Sequence, residues 1–338
     1  MKSIVCHFFV FLMVNPVMAQ LATLDIYAVR QVVFDLNDHD EIGLTLSLRI
    51  NNEFPMPVEL SNLHVQLTPQ REGSDEPFQL VLPSIRMEKM QFKPGKDNTV
   101  TLPRISLGRF QEETVRGILE FLNEAGNPGS GFGMQTLITG SLAQKLPVGE
   151  LELGSVRVEY FLQPGKIAHG LLPLEPQPWR RGIQSESGPI FIQGVQRVRF
   201  DLNRHKHLEA TLDFLVKVEN GAPFEMKEWM ANVTPTRFDG VSELELPKLT
   251  IHFPPQKFHA GLPVVLAAPP VDLGEINRAN VKKLMNLLNS AGDPDVAFGF
   301  LVSASGQRQE DGNPTPQTVQ WTEAISLPRQ PGLLFQFQ

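Results

Sequence analysis

Val29-Arg30-Gln31-Val32-Val33-Phe34-Asp35-Leu36-Asn37 returns as Val195-Gln196-Arg197-Val198-Arg199-Phe200-Asp201-Leu202-Asn203, 203 − 37 = 166 residues later. The same shift carries Leu122-Asn123-Glu124-Ala125-Gly126-Asn127-Pro128 to Leu288-Asn289-Ser290-Ala291-Gly292-Asp293-Pro294, and Phe132-Gly133 to Phe298-Gly299. One register held over so long a stretch predicts two copies of one domain. It also makes each copy a control on any motif claimed in the other.

Working outward, each copy opens on alternating segments. Leu46, Leu48 and Ile50 fall on one side of a strand, and Val58, Leu60, Leu63, Val65 and Leu67 follow. Copy two has Thr211 to Val216, then Phe224, Met226, Trp229 and Val233. This period predicts strands covered on one face. Asn51-Asn52-Glu53-Phe54-Pro55 and Asn220-Gly221-Ala222-Pro223 carry turn chemistry between them. A single helical stripe interrupts each copy: Val115, Ile118, Leu119 and Leu122, matched by Val281, Leu284, Met285 and Leu288. Gly126 and Gly292 stand where a left-handed cap favours glycine, followed by Pro128 and Pro294. The spacing predicts helices over about 110–125 and 276–291, with strands resuming at about 134–142, 156–162, 298–304 and 318–325. The expected fold is mainly β: two tandem fibronectin/immunoglobulin-like β-sandwich domains, each with one inserted α-helix.

Residues 1–19 read as a signal peptide. Lys2 precedes an apolar run from Ile4 to Val14, and Val17-Met18-Ala19 supplies small-residue cleavage geometry before Gln20. The first repeat then spans 20–163. A Pro/Gly-rich linker covers 164–188 (Pro164-Gly165, Pro173, Pro176, Pro178), and the second repeat spans 189–338. The sole cysteine, Cys6, lies in the leader, so disulfide, thiolate-metal and lipid-attachment chemistry are not expected of the mature chain. No later run approaches the roughly 20 apolar residues of a spanning helix. These features point to a periplasmic or secreted protein.

Lys+Arg 30 against Asp+Glu 37 gives −7, and loss of Lys2 leaves 30 − 1 − 37 = −8. With the charges mixed, nucleic acid is not an expected partner. Trp179-Arg180-Arg181 is read as a solvated basic turn.

The chemical motifs fare poorly against the repeat. Gly129-Ser130-Gly131-Phe132-Gly133 suggests a phosphate cradle, but its counterpart is Asp295-Val296-Ala297-Phe298-Gly299 and it follows a helix. Phe132 and Phe298 read better as anchors of the next strand. His205 and His207 flank Lys206, yet His39 alone matches them, and Asp38 and Asp40 become Arg204 and Lys206, so a hairpin tip is expected instead of a metal site. Glu112 and Glu113 are explained by a helix start, and their counterparts are Arg278 and Ala279. Serine-elbow, Ser-x-x-Lys and His-Glu-x-x-His patterns are missing from the sequence. Trp 3 and Tyr 2 against Phe 22 favour core filling over a carbohydrate platform, with Trp229 expected in the core and Trp179 and Trp321 as surface contacts. Catalytic, cofactor-binding and metal residues are therefore all set at none, and no cofactor is expected.

The order of strand, turn and strand through Leu48-Arg49-Ile50-Asn51-Asn52-Glu53-Phe54-Pro55-Met56-Pro57-Val58, then a polar hairpin, a lone helix and closing strands, resembles the type 2 late embryogenesis abundant (water-stress, WHy-like) domain. That family joins its strands by an Asn-Pro-Asn type turn, whereas Asn51-Asn52-Glu53 and Glu219-Asn220-Gly221 lack the central proline. The resemblance implies a fibronectin-like sandwich with a helix, non-enzymatic and active in stress or at the cell envelope. On this reading the chain is a non-catalytic exported protein with a binding, scaffold or stress-protective role. Its partner, of unknown identity, would be a protein or an apolar or lipid ligand; a groove between helix and sheets could take the latter, but the apolar residues there are read first as core. Two rivals stand beside it: a periplasmic assembly chaperone and a hydrolase with a dispersed site.

Overall fold

The computed structural model describes residues 24–71, 78, 80–125, 131–146, 149–162, 172–173, 175–176, 190–218, 221–238, 249–293, 295–313 and 315–326. They fall into two compact units that divide between residues 166 and 167. The leader, Trp179 and most of the linker lie outside the described residues.

Unit 1 contains β1 (Leu24–Leu36), β2 (Glu41–Asn52), β3 (Val58–Arg71), β4 (Ile85–Phe92), β5 (Gly95–Thr101), β6 (Ile105–Arg109), α1 (Glu112–Ala125), β7 (Phe132–Leu146) and β8 (Gly149–Leu162). All pairings are antiparallel. One sheet runs β1-β2 with β5 and β6 on successive parts of the far edge of β2, and the other runs β4-β3-β7-β8. Once β5 and β6 count as one interrupted strand, the first, second and fifth strands form one layer and the third, fourth, sixth and seventh the other, a partition of the fibronectin/immunoglobulin-type sandwich. The helix sits between β6 and β7, where the chain changes sheets.

Unit 2 contains β9 (Leu172–Pro173), β10 (Glu175–Pro176), β11 (Phe191–Leu202), β12 (His207–Lys217), β13 (Phe224–Arg237), β14 (Leu249–Phe253), β15 (Gln256–Phe258), β16 (Pro263–Ala267), β17 (Val271–Glu275), α2 (Arg278–Ala291), β18 (Phe298–Glu310) and β19 (Gln317–Ser326). Its sheets are β9-β11-β12 with β16 and β17 on the far edge of β12, and β10-β19-β18-β13 with β14 and β15 on β13. Among the described residues the chain is thus mostly β, built of antiparallel sheets with two helices. The stretch read as linker supplies β9 and β10, the outermost strands of both unit 2 sheets.

The irregularities repeat as faithfully as the strands do. β1 pairs with β2 through register shifts at Ile26/Ala28 and Val29/Gln31, and β11 with β12 at Ile192/Gly194 and Val195/Arg197. β3 bulges against β7 between Ser61 and His64, and β13 against β18 between Lys227 and Met230. At each bulge a non-glycine residue is left-handed, Asn62 (φ 52) and Glu228 (φ 45). The extra residue switches which parity points inward: Val58 and Leu60 are buried before it, Leu63, Val65 and Leu67 after it. Opposite each bulge is a glycine. A Cβ on Gly140 would press on Leu63 and the Ser61 carbonyl, and one on Gly306 would meet Trp229.

The register parts only in the last hairpin. Met134 faces Leu162 and Phe300 faces Ile325, so 300 − 134 = 166 becomes 325 − 162 = 163 across the pair.

Both helices appear at the expected places, with two differences. Leu122 and Leu288, expected to be buried, are half-exposed, while Val115, Ile118, Leu119, Val281, Leu284 and Met285 are buried. The stripe fixes the inward side of a helix but not how far along its length the core extends. Gly292 caps α2 in the right-handed region (φ −91, ψ −2), its N–H donating to the Leu288 carbonyl, so it is not the left-handed cap expected. Asp293 continues the turn by accepting the Asp295 N–H at 2.9 Å. Gly126 and Pro128 lie outside the described residues, as does Pro294.

Candidate functional site

The hairpin between the first two strands of each unit is built around one asparagine. Asn37 Oδ1 accepts the N–H groups of His39 and Glu41, each at 3.0 Å, and Asn203 Oδ1 accepts those of His205 and His207 at 2.9 and 3.0 Å. This Asx device holds the next residue left-handed, Asp40 at φ 57 and Lys206 at φ 62. The side chains that surround the shared turn differ in chemistry.

In unit 1, Arg104 crosses from the segment before β6. Its Nε donates to Asp35 at 2.8 and 3.0 Å, Nη1 to Glu41 Oε2 at 3.1 Å and Nη2 to the Glu41 carbonyl at 2.9 Å. Ser106 Oγ donates to Glu41 Oε1, and Asn37 Nδ2 to Oε2 at 3.2 Å. Gly43 makes room, since a Cβ there would collide with the Arg104 guanidinium and the Asp35 carboxylate. The Ser106 hydroxyl, then Arg104, hold the Glu41 carboxyl below its ordinary value. A carboxylate stabilised in its charged form is a poor proton acceptor near neutrality, so this cluster is suited to tying strands together.

In unit 2 the positions of Glu41 and Ser106 are taken by His207 and Asp272. His207 Nδ1 and Asp272 Oδ2 are 2.8 Å apart, with side chains 38% and 58% exposed. Asp272 also accepts the Gly274 N–H at 2.7 Å, which, ahead of His207, lowers its pKa. His205 turns elsewhere, its Nε2 lying 3.0 Å from Arg204 Nε. The two histidines therefore do not converge. Among the described residues no group of three or more His, Cys, Asp or Glu is placed to hold a metal ion.

A second polar cluster lies on β3. The Glu59 side chain is only 2% exposed, ion-paired with Lys89 and with Lys145 at 3.3 Å, and accepts from Gln91 Nε2 at 3.0 Å. Lysine stems from β4 and β7 cover it while their ammonium ends stay wet. Lys89 above all holds its carboxyl below the ordinary value, against the opposing cost of desolvation. A third cluster ties β3 to α1, with Arg71 bonded to Glu120 at 3.2 Å and Glu124 at 3.1 Å.

Glu323 stands apart. Residues facing each other across an antiparallel pair share a side of the sheet, and Trp321, Glu323 and Ile325 face Ala304, Val302 and Phe300. Trp321, Ile325, Ala304 and Val302 are buried, so Glu323 points into the sandwich. There it accepts the backbone N–H of Ile192, and burial pushes its carboxyl up to about 7. Sequence reading missed this acid, although its parity with Trp321 and Ile325 was a usable signal.

The aromatic and glycine motifs belong to the framework. Phe132 opens β7, buried edge-on against Phe78 and Phe121 with centroids 5.4 and 5.1 Å apart. Phe298 opens β18, and a Cβ on Gly299 would strike the backbone of Ile325 and Ser326. Gly129 and Ser130 lie outside the described residues. Glu112 pairs with Arg116 on its own helix at 3.0 Å instead of converging with Glu113. Trp229 is buried, stacked on Phe253 at 4.3 Å, with Nε1 donating to the Pro254 carbonyl at 3.1 Å. Trp321, expected at the surface, is buried at 6% exposure.

Two small apolar hollows accompany these features in unit 2. One, of about 30 Å³, lies between the sheets beside Trp229, Trp321 and Ile192, and the other, also about 30 Å³, lies between α2 and the sheet beside Leu249, Leu273 and Leu284. Each is of the size of a water molecule or two, too small for a drug-sized ligand.

No family model matches the chain. No curated protein matches it either. Among solved structures, a calcium-binding mutant of Bacteroides uniformis beta-glucuronidase 2 aligns over 92% of this chain and 30% of its own, at 8% identity and a TM-score of 0.15. The chain thus spans less than a third of that protein, and a score so low carries no argument. Among the described residues, no helix is long and apolar enough to cross a membrane.

Proposed function

We propose that this chain is an exported, non-catalytic envelope protein whose two β-sandwich units act as a binding or stress-protective scaffold, in the manner of the type 2 late embryogenesis abundant domain it resembles. One observation carries the reading. What the units hold in common is framework: the bulges with Asn62 and Glu228, the turns on Asn37 and Asn203, and the helices of α1 and α2. What they do not share is the set of polar groups around that turn, since Glu41 and Ser106 become His207 and Asp272, and Arg104 becomes Pro270. A reaction carried by the duplicated unit would need the reverse, a constant set of reacting groups on a tolerant frame. The ionic clusters of unit 1 are also spent on one another, consistent with a structural role. The partner in this reading is a protein or an apolar or lipid ligand.

The test uses the mature chain beginning at Gln20. We expect it to preserve the activity of a drying-sensitive client enzyme better than an equal mass of serum albumin. It should show no turnover above buffer on chromogenic esters, glycosides and phosphomonoesters. Turnover abolished by His207→Ala or Asp272→Ala would replace the scaffold reading with a hydrolase.

A further inference from the structure

β16 (Pro263–Ala267) ends one sheet of unit 2: it pairs with β12, and among the described residues no strand lies beyond it. Its backbone groups alternate between the two sides. The Ala268 N–H donates to the Leu212 carbonyl at 2.8 Å. In an antiparallel ladder every second residue bonds its partner in this way, so Leu266 and Val264 also face β12, whereas Pro263, Val265 and Ala267 turn their backbone groups outward. The side chains of those three residues are exposed, Val265 by 46%, and Leu262 just before them is exposed by 60%.

Unit 1 builds the same edge with the opposite composition. Val100 faces Leu48 as Leu266 faces Phe214, with 266 − 100 = 214 − 48 = 166, so β5 stands where β16 stands. The run there is Lys96-Asp97-Asn98-Thr99-Val100-Thr101, against Leu262-Pro263-Val264-Val265-Leu266-Ala267. Ser47 Oγ and Thr101 Oγ1 meet at 3.0 Å across β2 and β5, and the residues in their places are Asp213 and Ala267. Charged and polar residues on an outer strand are the usual guard against edge-to-edge pairing, and β16 has apolar ones in their place. Only Pro263, which lacks an N–H, remains as a blunting device.

We propose that β16 is a self-association edge, to which a second copy of this chain adds its own β16 antiparallel about a two-fold axis at Val265. That register uses the whole strand. The Val265 N–H of each copy donates to the Val265 carbonyl of the other, and the Ala267 N–H of each to the Pro263 carbonyl of the other, so the proline leaves only the Ala267 carbonyls unpaired. The surface is complementary to itself, as a two-fold contact requires. Leu215 stands beside Val265 on the outer side of the sheet, so an apolar row of Leu215, Val265, Val265 and Leu215 crosses the joined sheet. Each flanking row runs from Lys217 beside Pro263 of one copy to Ala267 and Asp213 of the other, so opposite charges end it and like charges never face each other. Five residues on each side make a contact smaller than the roughly 1,200–2,000 Å² of stable complexes, and the dimer is accordingly weak and reversible. It concerns unit 2 alone and does not rest on the scaffold reading.

Sedimentation equilibrium of the mature chain between about 10 μM and about 1 mM tests the proposal, with the mean mass expected to climb from near monomer towards dimer. Val265→Lys sets like charges on the axis at an exposed position and should keep the chain monomeric throughout. Thr99→Lys, the same change at the matching place on β5, should leave association unchanged. Hydrogen exchange on the unaltered chain gives a readout that needs no substitution. A peptide spanning 263–267 should exchange about fivefold slower at the high concentration, as mass action requires of a dimer dissociating near about 0.1 mM, while one spanning 97–101 stays constant. A monomer at every concentration, or a dimer that survives Val265→Lys, would overturn the proposal. Protection of 263–267 that appears only on adding an unfolded client protein, with the chain monomeric throughout, would overturn it in favour of a client strand on this edge.

Discussion

Glu323→Gln isolates the cost of burying one acid. The wild-type carboxyl is raised from 4.5 to about 7 because it faces the sandwich interior with one N–H, that of Ile192, to support its charge. Between those two values the folded protein keeps the proton while the unfolded chain gives it up. Stability from this group is therefore fully present below about pH 4.5, falls as pH rises, and levels off above about 7. At about 1.4 kcal/mol per pH unit, the interval corresponds to about 3 kcal/mol. Glutamine keeps the shape and an acceptor for Ile192 but cannot ionise. The variant should match wild type near pH 4.5 and exceed it by about 3 kcal/mol near pH 8. Urea melts followed by tryptophan fluorescence suit the measurement, because Trp229 and Trp321 are both buried in unit 2. A gap of the same size at both pH values would show that Glu323 ionises freely in the folded state and refute the argument.

Other expectations follow from single contacts. Leu119→Ala and Leu284→Ala, at buried positions, should each cost about 2–5 kcal/mol in denaturant melts, with Leu122→Ala and Leu288→Ala costing visibly less. Gly299→Ala should destabilise unit 2 by about 1–3 kcal/mol, since the new methyl meets the backbone of β19 and not a movable side chain. Glu59, held below 4.5 chiefly by Lys89, has the opposite sign to Glu323: its contribution is present above 4.5 and disappears as pH falls through its folded value. Glu59→Gln should accordingly lower stability at neutral pH, with the gap to wild type narrowing in acid melts. Elemental analysis of protein from its native compartment should find no stoichiometric zinc, and zinc lost on replacing His205 and His207 would reverse the assignment of those residues to a hairpin tip.

The architecture was legible because its signals are local and occur twice. Val281, Leu284 and Met285 confirm the stripe of Val115, Ile118 and Leu119, and all six are buried. What escaped was either non-local or a matter of parity. Arg104 meets Asp35 across 69 residues, with nothing near either to announce the other. Leu63, Val65 and Leu67 were read as apolar strand positions together with Val58 and Leu60 and are buried with them, but the bulge at Asn62 that changes the parity between Leu60 and Leu63 was not read. Trp321 was assigned to the surface by residue type, although its parity with Ile325 places it inside. The polar clusters could not be foreseen at all, because the repeat keeps the turn on Asn37 and Asn203 while exchanging the groups that surround it.

The three-residue offset in the closing hairpin limits which pieces the halves could trade. Positions 166 apart on β3 and β13 have matching partners on β7 and β18, so a segment such as β3 could be exchanged for β13 with the same side chains facing inward. Residues 149–162 and 315–328 are also 166 apart, but Leu162 and Ile325, which share a structural place, are 163 apart. A chimera joined by sequence alignment there would be out by an odd number. Arg157 would receive Glu323, and the buried tryptophan would land at the exposed position of Ser155. The two halves are interchangeable parts up to the turn after β7 and β18, and past that turn each closing strand fits only its own sandwich.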